Sequence, residues 1–231
     1  MPKDLICGME VLDERFVFEI RGKKYFFCSQ GCLDKFKEFS DEGSGSRSRY
    51  DLVIIGAGPA GLAAAIQAAD LKINTLLIAK DIGGRVVDNA KIKNHADPDF
   101  AGGKELMEKF EHQVLHEHYL EHKLEEVVKI NRIGAIFEVV AKEGDSVTAY
   151  ALIIAAGAKQ DTPNTEFFRG LLELNEKGEI IINSDCSSSV EGIFACGDVT
   201  GCLEKRINIA SQEGTKAVLS AKKYLLGMGI K

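Results

Sequence analysis

Along the first forty positions, two short apolar-containing runs stand out, Val17 to Ile20 and Lys24 to Phe27, set around Arg21-Gly22-Lys23. Two short runs about a glycine turn predict a β-hairpin. Gly31 to Phe39 (GCLDKFKEF) reads as a short helix. From Phe39 to Arg49 the chain reads FSDEGSGSRSR, and nothing apolar repeats, which is the composition of a linker. Tyr50 to Gly56 (YDLVIIG) is then continuously apolar, as strands buried on both faces are. LAAAIQAADL predicts a helix, and Asn74 to Ala79 (NTLLIA) a second strand. Glu125 to Ala151 reads as a three-stranded meander with turns near Asn131 to Gly134 and Glu143 to Asp145. Tyr150 to Lys159 and Gly192 to Asp198 are further apolar stretches that end in small residues or an acid.

This pattern divides the chain into a module at 1–40, a linker at 41–49 and a domain at 50–231. The fold class expected is α/β: a Rossmann-like domain with a β-meander insert, preceded by a small α+β module. A module of about 40 residues buries too little apolar surface to be stable alone, so it needs a metal, a disulfide or a docking surface.

Composition narrows the function. Of 231 residues, 45% are hydrophobic and 28% charged, with a formal net charge of -6. An acidic balance argues against a nucleic-acid backbone as partner. No apolar run approaches the ~18 residues of a membrane span. The N-terminus lacks the apolar core of a secretory signal, so a cytoplasmic location is expected.

The six cysteines fall into two groups, one toward each end of the chain. Cys7, Cys28 and Cys32 lie in the module, with twenty residues between the first two and three between the last two. Two cysteines at i and i+4 around a helix start can face one ion, and a helix N-terminus lowers a thiol pKa. Thiolates favour Zn, Cu(I) or Fe. The stretch Cys7-Gly8-Met9, Tyr25-Phe26-Phe27-Cys28-Ser29-Gln30-Gly31-Cys32 and Phe36 resembles the YHS, or TRASH-like, metal-binding family. That resemblance implies a transition-metal ion at these cysteines, either exchangeable or a structural staple. Met9, Asp34 or a group from outside the module are candidate fourth ligands.

Gly56-Ala57-Gly58-Pro59-Ala60-Gly61 joins the first long strand to its helix. This is a dinucleotide fingerprint in its strand–turn–helix context. Gly56 permits the tight turn, Gly58 lets backbone approach a pyrophosphate, and Gly61 lets helix pack on strand. The acid expected about 20 residues on is displaced: Ala79 stands at the strand end and Asp81 is the nearest candidate. With Gly83-Gly84-Arg85, Ile92-Lys93-Asn94, Tyr150 to Lys159 and Gly192 to Asp198 in order, Tyr50 to Tyr224 resembles the FAD domain of thioredoxin reductase. It equally resembles that of the flavoprotein component of alkyl hydroperoxide reductase. The resemblance implies FAD held around Gly56, Gly58, Pro59, Ala60, Gly61, Asp81, Gly84, Arg85, Asn94, Ala156, Gly157, Gly197, Asp198, Arg206 and Ile207. Asn94 would lie near the flavin and Asp198 on the ribityl chain, unless Asp198 caps the next helix. A homodimer through the FAD domains is also implied.

That family carries a nicotinamide domain between the halves of its FAD domain. Here Ala155 to Lys159 runs almost directly into Asp161-Thr162-Pro163-Asn164-Thr165, and the chain has no second GxGxxG. The family's redox CxxC pair is absent as well. Electrons would then come from a protein donor such as ferredoxin or another reductase. Arg85 and Arg206 replace glutamines of the family, and a cation near the flavin would raise its potential; the other reading is that both pair with surface acids. Cys196 and Cys186 are expected to be structural. Cys202, in a loop, is the candidate redox thiol. His112/His116 and His118/His122 have helical i,i+4 spacing, and a solvated helix face is expected there. Two functions follow: electron transfer between FAD and the metal of the module, or a metal sensor or carrier in which FAD is structural.

Overall fold

The structure, a computed structural model, describes residues 4, 9–11, 15–20, 23–34, 49–84, 119–159, 162–201 and 206–230. In the module, β1 (Phe16–Ile20) and β2 (Lys23–Phe27) form an antiparallel hairpin in register Phe16↔Phe27. A helix, α1, follows at residues 30–34. Ser29 starts it: its carbonyl accepts the Leu33 N–H at 3.1 Å and its hydroxyl accepts the Cys32 N–H at 3.2 Å. A serine N-cap bonded to the third helical residue is the ordinary way such an end is satisfied.

The large sheet begins with β3 (Arg49–Ala57), whose Leu52 to Ile55 are buried. α2 (Pro59–Asp70) leaves it at once. Proline at the first helical position loses no bond, because that N–H has no intrahelical partner. The helix stops by bonds from Ile73 N–H to Ala68 O (3.0 Å) and Lys72 N–H to Ala69 O (2.8 Å), with Lys72 left-handed at φ 57. That paired closure satisfies the last carbonyls. β4 (Thr75–Ile82) and β5 (Leu120–Leu124) extend the sheet in parallel. β6 (Val127–Ile133), β7 (Ile136–Ala141) and β8 (Ser146–Ile154) form the antiparallel meander. A two-stranded hairpin, β9 (Ala158–Lys159) with β10 (Thr162–Pro163), precedes β11 (Ile193–Ala195). α3 (Ile207–Gly227) ends the described chain and closes, as α2 does, with Ile230 N–H on Leu225 O and Gly229 N–H on Leu226 O.

The sheet order is β5-β4-β3-β8-β7-β6, with β11 beside β8. The fold is a Rossmann-like α/β sheet with a meander insert, as the apolar pattern predicts. The third meander strand and the stretch after Tyr150 are one strand, β8. Its first half pairs antiparallel with β7, its last half parallel with β11, and its other edge with β3. His122 lies in β5, so the helical spacing expected for His118 and His122 does not hold. Strand pairing with β4 outweighs the weak local pattern LEHKL; the other histidines lie outside the described residues.

One sheet face (Leu52, Ile54, Ala151, Ile153) packs under α2 and α3. The other (Val53, Ile55, Leu152, Ile154) packs against Val139, Phe168 and Ile180. Phe27 and Leu33 of the module join the helix-side cluster. The module therefore adds its few apolar side chains to a larger core. α2 and α3 approach closely because α2 presents alanines and α3 presents Gly214, where a Cβ would lie 2.1 Å from Ala60 O. Among the described residues no helix is long and apolar enough to cross a membrane.

Replacing Gly214 with alanine is expected to destabilise the protein by about 1–3 kcal/mol through overpacking. Gly227, in the same helix, has nothing within 4 Å of its would-be Cβ. Gly227→Ala should leave the melting temperature unchanged or raise it. Thermal unfolding followed by circular dichroism checks the contrast; equal effects of the two changes would refute the packing account.

Candidate functional site

Four parallel strands end at one edge of the sheet, and their following turns meet there. Gly56, at φ 106, turns β3 toward α2; a Cβ on it would lie 2.3 Å from Ala155 O. A Cβ on Gly61 would lie 1.8 Å from Gly56 O. The Gly83 N–H donates to Ala57 O at 2.8 Å, and Gly84 sits against Gly58, its would-be Cβ 3.6 Å from the Gly58 Cα. Ala155 N–H donates to Ile55 O (2.8 Å) and Cys196 N–H to Ile154 O (3.1 Å), which carries the ladder to the mouth of the site. Gly197, at φ 75, faces Ala60, its would-be Cβ 3.0 Å from the Ala60 methyl.

These neighbours define a crevice walled by close backbone contact on one side and open on the other. Among the described residues, a Cβ at Gly58 or Gly157 would meet nothing within 4 Å. The Ala60 and Gly61 N–H groups precede the first intrahelical bond of α2, which runs from Leu62 N–H to Gly58 O at 2.9 Å. Neither α2 nor α3 carries an acid in its first turn. Open glycine faces beside uncapped helix N-termini fit the pyrophosphate of a dinucleotide. The residues present therefore fit FAD.

Gly56 lies at the end of β3, Pro59, Ala60 and Gly61 open α2, and Gly58, Gly84, Ala156, Gly157, Gly197 and Asp198 lie on the turns that follow these strands. Asp198 is half-buried in the short turn Gly197–Val199, which Thr200 closes with N–H and Oγ1 bonds to Gly197 O at 2.9 and 2.8 Å. The N-cap of α3 is Arg206. Ile207 is the first residue of α3, and Ala210 approaches Gly197. Asp81 lies inside β4, which runs to Ile82 rather than stopping at Ala79, and it is exposed. Arg85, Asn94 and Cys202 lie outside the described residues.

Glu213 has no sequence signature. From the second turn of α3, its Oε2 accepts the Gly197 N–H at 2.7 Å. It fixes the turn that carries Asp198 and ties that turn to α3.

Both remaining thiols of this domain are buried. Cys186, left-handed at φ 67, has its sulfur 3.8 Å from Glu213 O, and burial pushes its pKa up to about 11. Burial raises Cys196 well above the ordinary thiol range. Neither is a thiolate at neutral pH.

In the module, the Cys28 and Cys32 sulfurs are 3.8 Å apart, and neither is in a disulfide. One oxygen of Asp4 lies within 4.8 Å of both sulfurs. Of the ligand candidates named from sequence, Met9 is 57% exposed, with its carbonyl accepting the Asp4 N–H at 2.8 Å, and exposed Asp34 accepts a bond from Gln30 Nε2 at 2.7 Å. Cys7 lies outside the described residues. A tetrahedral ion with metal–sulfur bonds of about 2.3 Å sets its sulfurs about 3.8 Å apart, so the donor set fits a metal ion.

Comparison with known proteins places these features. The pyridine nucleotide-disulphide oxidoreductase signature matches residues 50–159 and 95–214, and the YHS domain signature matches residues 3–46. The chain is similar to the F component of the alkyl hydroperoxide reductase of Escherichia coli K12, 50% identical over 64 residues, which are 28% of this chain and 12% of that protein. The corresponding Staphylococcus epidermidis RP62A protein is 45% identical over 64 residues, 28% of this chain and 13% of its own length. The match thus spans about an eighth of these relatives. Among solved structures, a thioredoxin reductase from Gloeobacter violaceus superposes with a TM-score of 0.73 at 17% identity, covering 80% of this chain and 98% of that one. A ferredoxin-flavin thioredoxin reductase from Clostridium acetobutylicum gives 0.72 at 20%, covering 80% and 100%. These structures share the fold.

Two outcomes are expected. Iodoacetamide at pH 8, mapped by mass spectrometry, should label Cys28 and Cys32 in the native protein and spare Cys186 and Cys196 until it unfolds. Labelling all four at similar rates would contradict the burial. Glu213→Ala should weaken FAD retention by roughly tenfold or more, since it strips a charged acceptor from a buried amide. Glu213→Gln, which keeps an acceptor oxygen, should lose less. Flavin fluorescence on dilution measures both, and equal retention in all three proteins would exclude the clamp.

Proposed function

We propose that this chain, which belongs to the pyridine nucleotide-disulphide oxidoreductase family, is an FAD-dependent electron-transfer oxidoreductase supplied by a protein donor and coupled to a metal held by its N-terminal module. The observation that carries the reading is the junction after β8. Lys159 pairs with Thr162 across a tight hairpin, and Asn164 ties back to Gly157 O through its N–H (3.0 Å) and to Ala156 O through Nδ2 (2.7 Å). The resemblance drawn from sequence puts a nicotinamide domain at this point. A hairpin closed by those bonds leaves no room for one, which supports an electron supply from outside the chain. The Clostridium neighbour, whose own description joins ferredoxin to flavin, adds support for a protein donor. The YHS match and the cysteine pair support a metal as the other participant.

The chain's own groups have separate tasks. The N–H groups of Ala60 and Gly61 would hold the phosphates, and the open glycine faces at 58 and 157 would let the cofactor come close. Asp198 accepts from sugar hydroxyls. Glu213 holds the Gly197 amide and so keeps Asp198 in place. When bound, FAD supplies the one- and two-electron chemistry. Cys7, Cys28 and Cys32 present thiolates to the metal, which is the electron partner or cargo. A homodimer and a cytoplasmic location complete the reading.

Under argon, the visible flavin bands of the purified protein should resist NADH and NADPH and bleach with dithionite. Rapid bleaching by either nicotinamide overturns the external supply. Bands that bleach with dithionite but never reoxidise on adding a metal ion favour the sensor or carrier role, with FAD structural.

A further inference from the structure

Asp4 is the least expected feature of the module. It is a carboxylate at 1% exposure. Burying a carboxylate is costly unless hydrogen bonds and opposite charge offset the lost hydration. Asp4 Oδ2 accepts the Cys28 N–H at 2.7 Å, which offsets some of that cost, and the Asp4 N–H donates to Met9 O at 2.8 Å. The first bond holds Asp4 against the β2–α1 corner, 24 residues away along the chain. It also places a carboxylate oxygen within 4.8 Å of the Cys28 and Cys32 sulfurs. Three groups that are all anionic when they bind a metal are thus brought together by fixed backbone. Cys28 sits at the end of β2, and Cys32 is held by the Ser29 cap.

We infer that Asp4 is a metal ligand, and that its oxygen makes this a site for a borderline divalent ion, such as Zn(II) or Fe(II), in preference to Cu(I). The inference rests on the reading that the module carries a metal, and it names the ion class and a ligand for it. Thiolates alone suit soft Cu(I), while a carboxylate adds a hard donor of little use to Cu(I) and of much use to a divalent ion. The added negative charge also favours a divalent cation over a monovalent one. A carboxylate has lone pairs for both tasks, accepting the Cys28 amide and donating to the ion. Metal binding would then staple the segment before β1 to the β2–α1 corner, as a module this small requires.

The test uses the full-length protein with FAD bound, so that the flavin spectrum reports folding. Zinc X-ray absorption of the wild type should show sulfur at about 2.3 Å together with oxygen at about 2.0–2.2 Å, and the oxygen contribution should fall in Asp4→Asn. Titration with Zn(II) alone, and with Cu(I) against a competing chelator, should show Zn(II) affinity lowered about tenfold or more in Asp4→Asn, with Cu(I) affinity unchanged. Asparagine keeps an acceptor for the Cys28 amide, so a purely structural role for Asp4 predicts equal Zn(II) affinity in the two proteins. That result would overturn the inference, as would an all-sulfur zinc shell in the wild type, which needs no variant to fold. Either leaves the flavin reading standing. A wild-type protein that takes up neither ion would defeat the inference and the metal half of the proposed function together.

Discussion

Backbone packed against backbone is the constraint on which the rest of the structure depends. Gly61 lies so near the Gly56 carbonyl, and Gly214 so near that of Ala60, that a single methyl at either would come within 1.8 and 2.1 Å of oxygen. The first contact sets α2 down on the end of β3. The second sets α3 down on α2. Because both helices start at the same edge of the sheet, their N-termini come together over the crevice. Larger side chains at these points would separate the helices and pull apart the turns at Gly58, Gly84 and Gly197. The cradle is a consequence of small residues, and it is also why α2 is built from alanine.

β8 carries the second structural decision. Its early residues belong to the meander and its late residues to the parallel sheet, so one strand joins the insert to the nucleotide edge. At its end the chain turns at Ala155 to Gly157 and returns as a short hairpin. The stretch after it runs along the sheet face opposite the helices, burying Phe168 and Ile180, before β11 re-enters beside β8. The crevice thus keeps its four contributing turns although the hairpin at 158–163 is the whole of the connection there.

The module follows a different economy. Its hairpin supplies few core residues, and Phe27 and Leu33 are buried by joining the cluster beneath the larger domain's helices. Its polar groups are organised around two sulfurs and Asp4. Docking onto the helix-side cluster does part of what a domain of this size cannot do with its own apolar burial.

The sequence by itself determined the nucleotide edge, because each part of it is local. A buried strand, a glycine turn and a helix start occupy a dozen consecutive residues, and the glycines follow from steric limits that hold in any context. It determined the meander for the same reason. Some features were decided only by tertiary structure. LEHKL has no period that separates strand from helix, and it is a strand because β4 offers an edge. Glu213 looks like any surface acid of α3 until Gly197 is brought to it. Asp4 looks like a charged residue near a terminus, and Met9 and Asp34 look equally suited as ligands. Its place beside Cys28 and Cys32 depends on a contact spanning 24 residues. Periodicity and spacing report what a segment does with its neighbours in sequence, whereas a ligand or a clamp is defined by its neighbours in space.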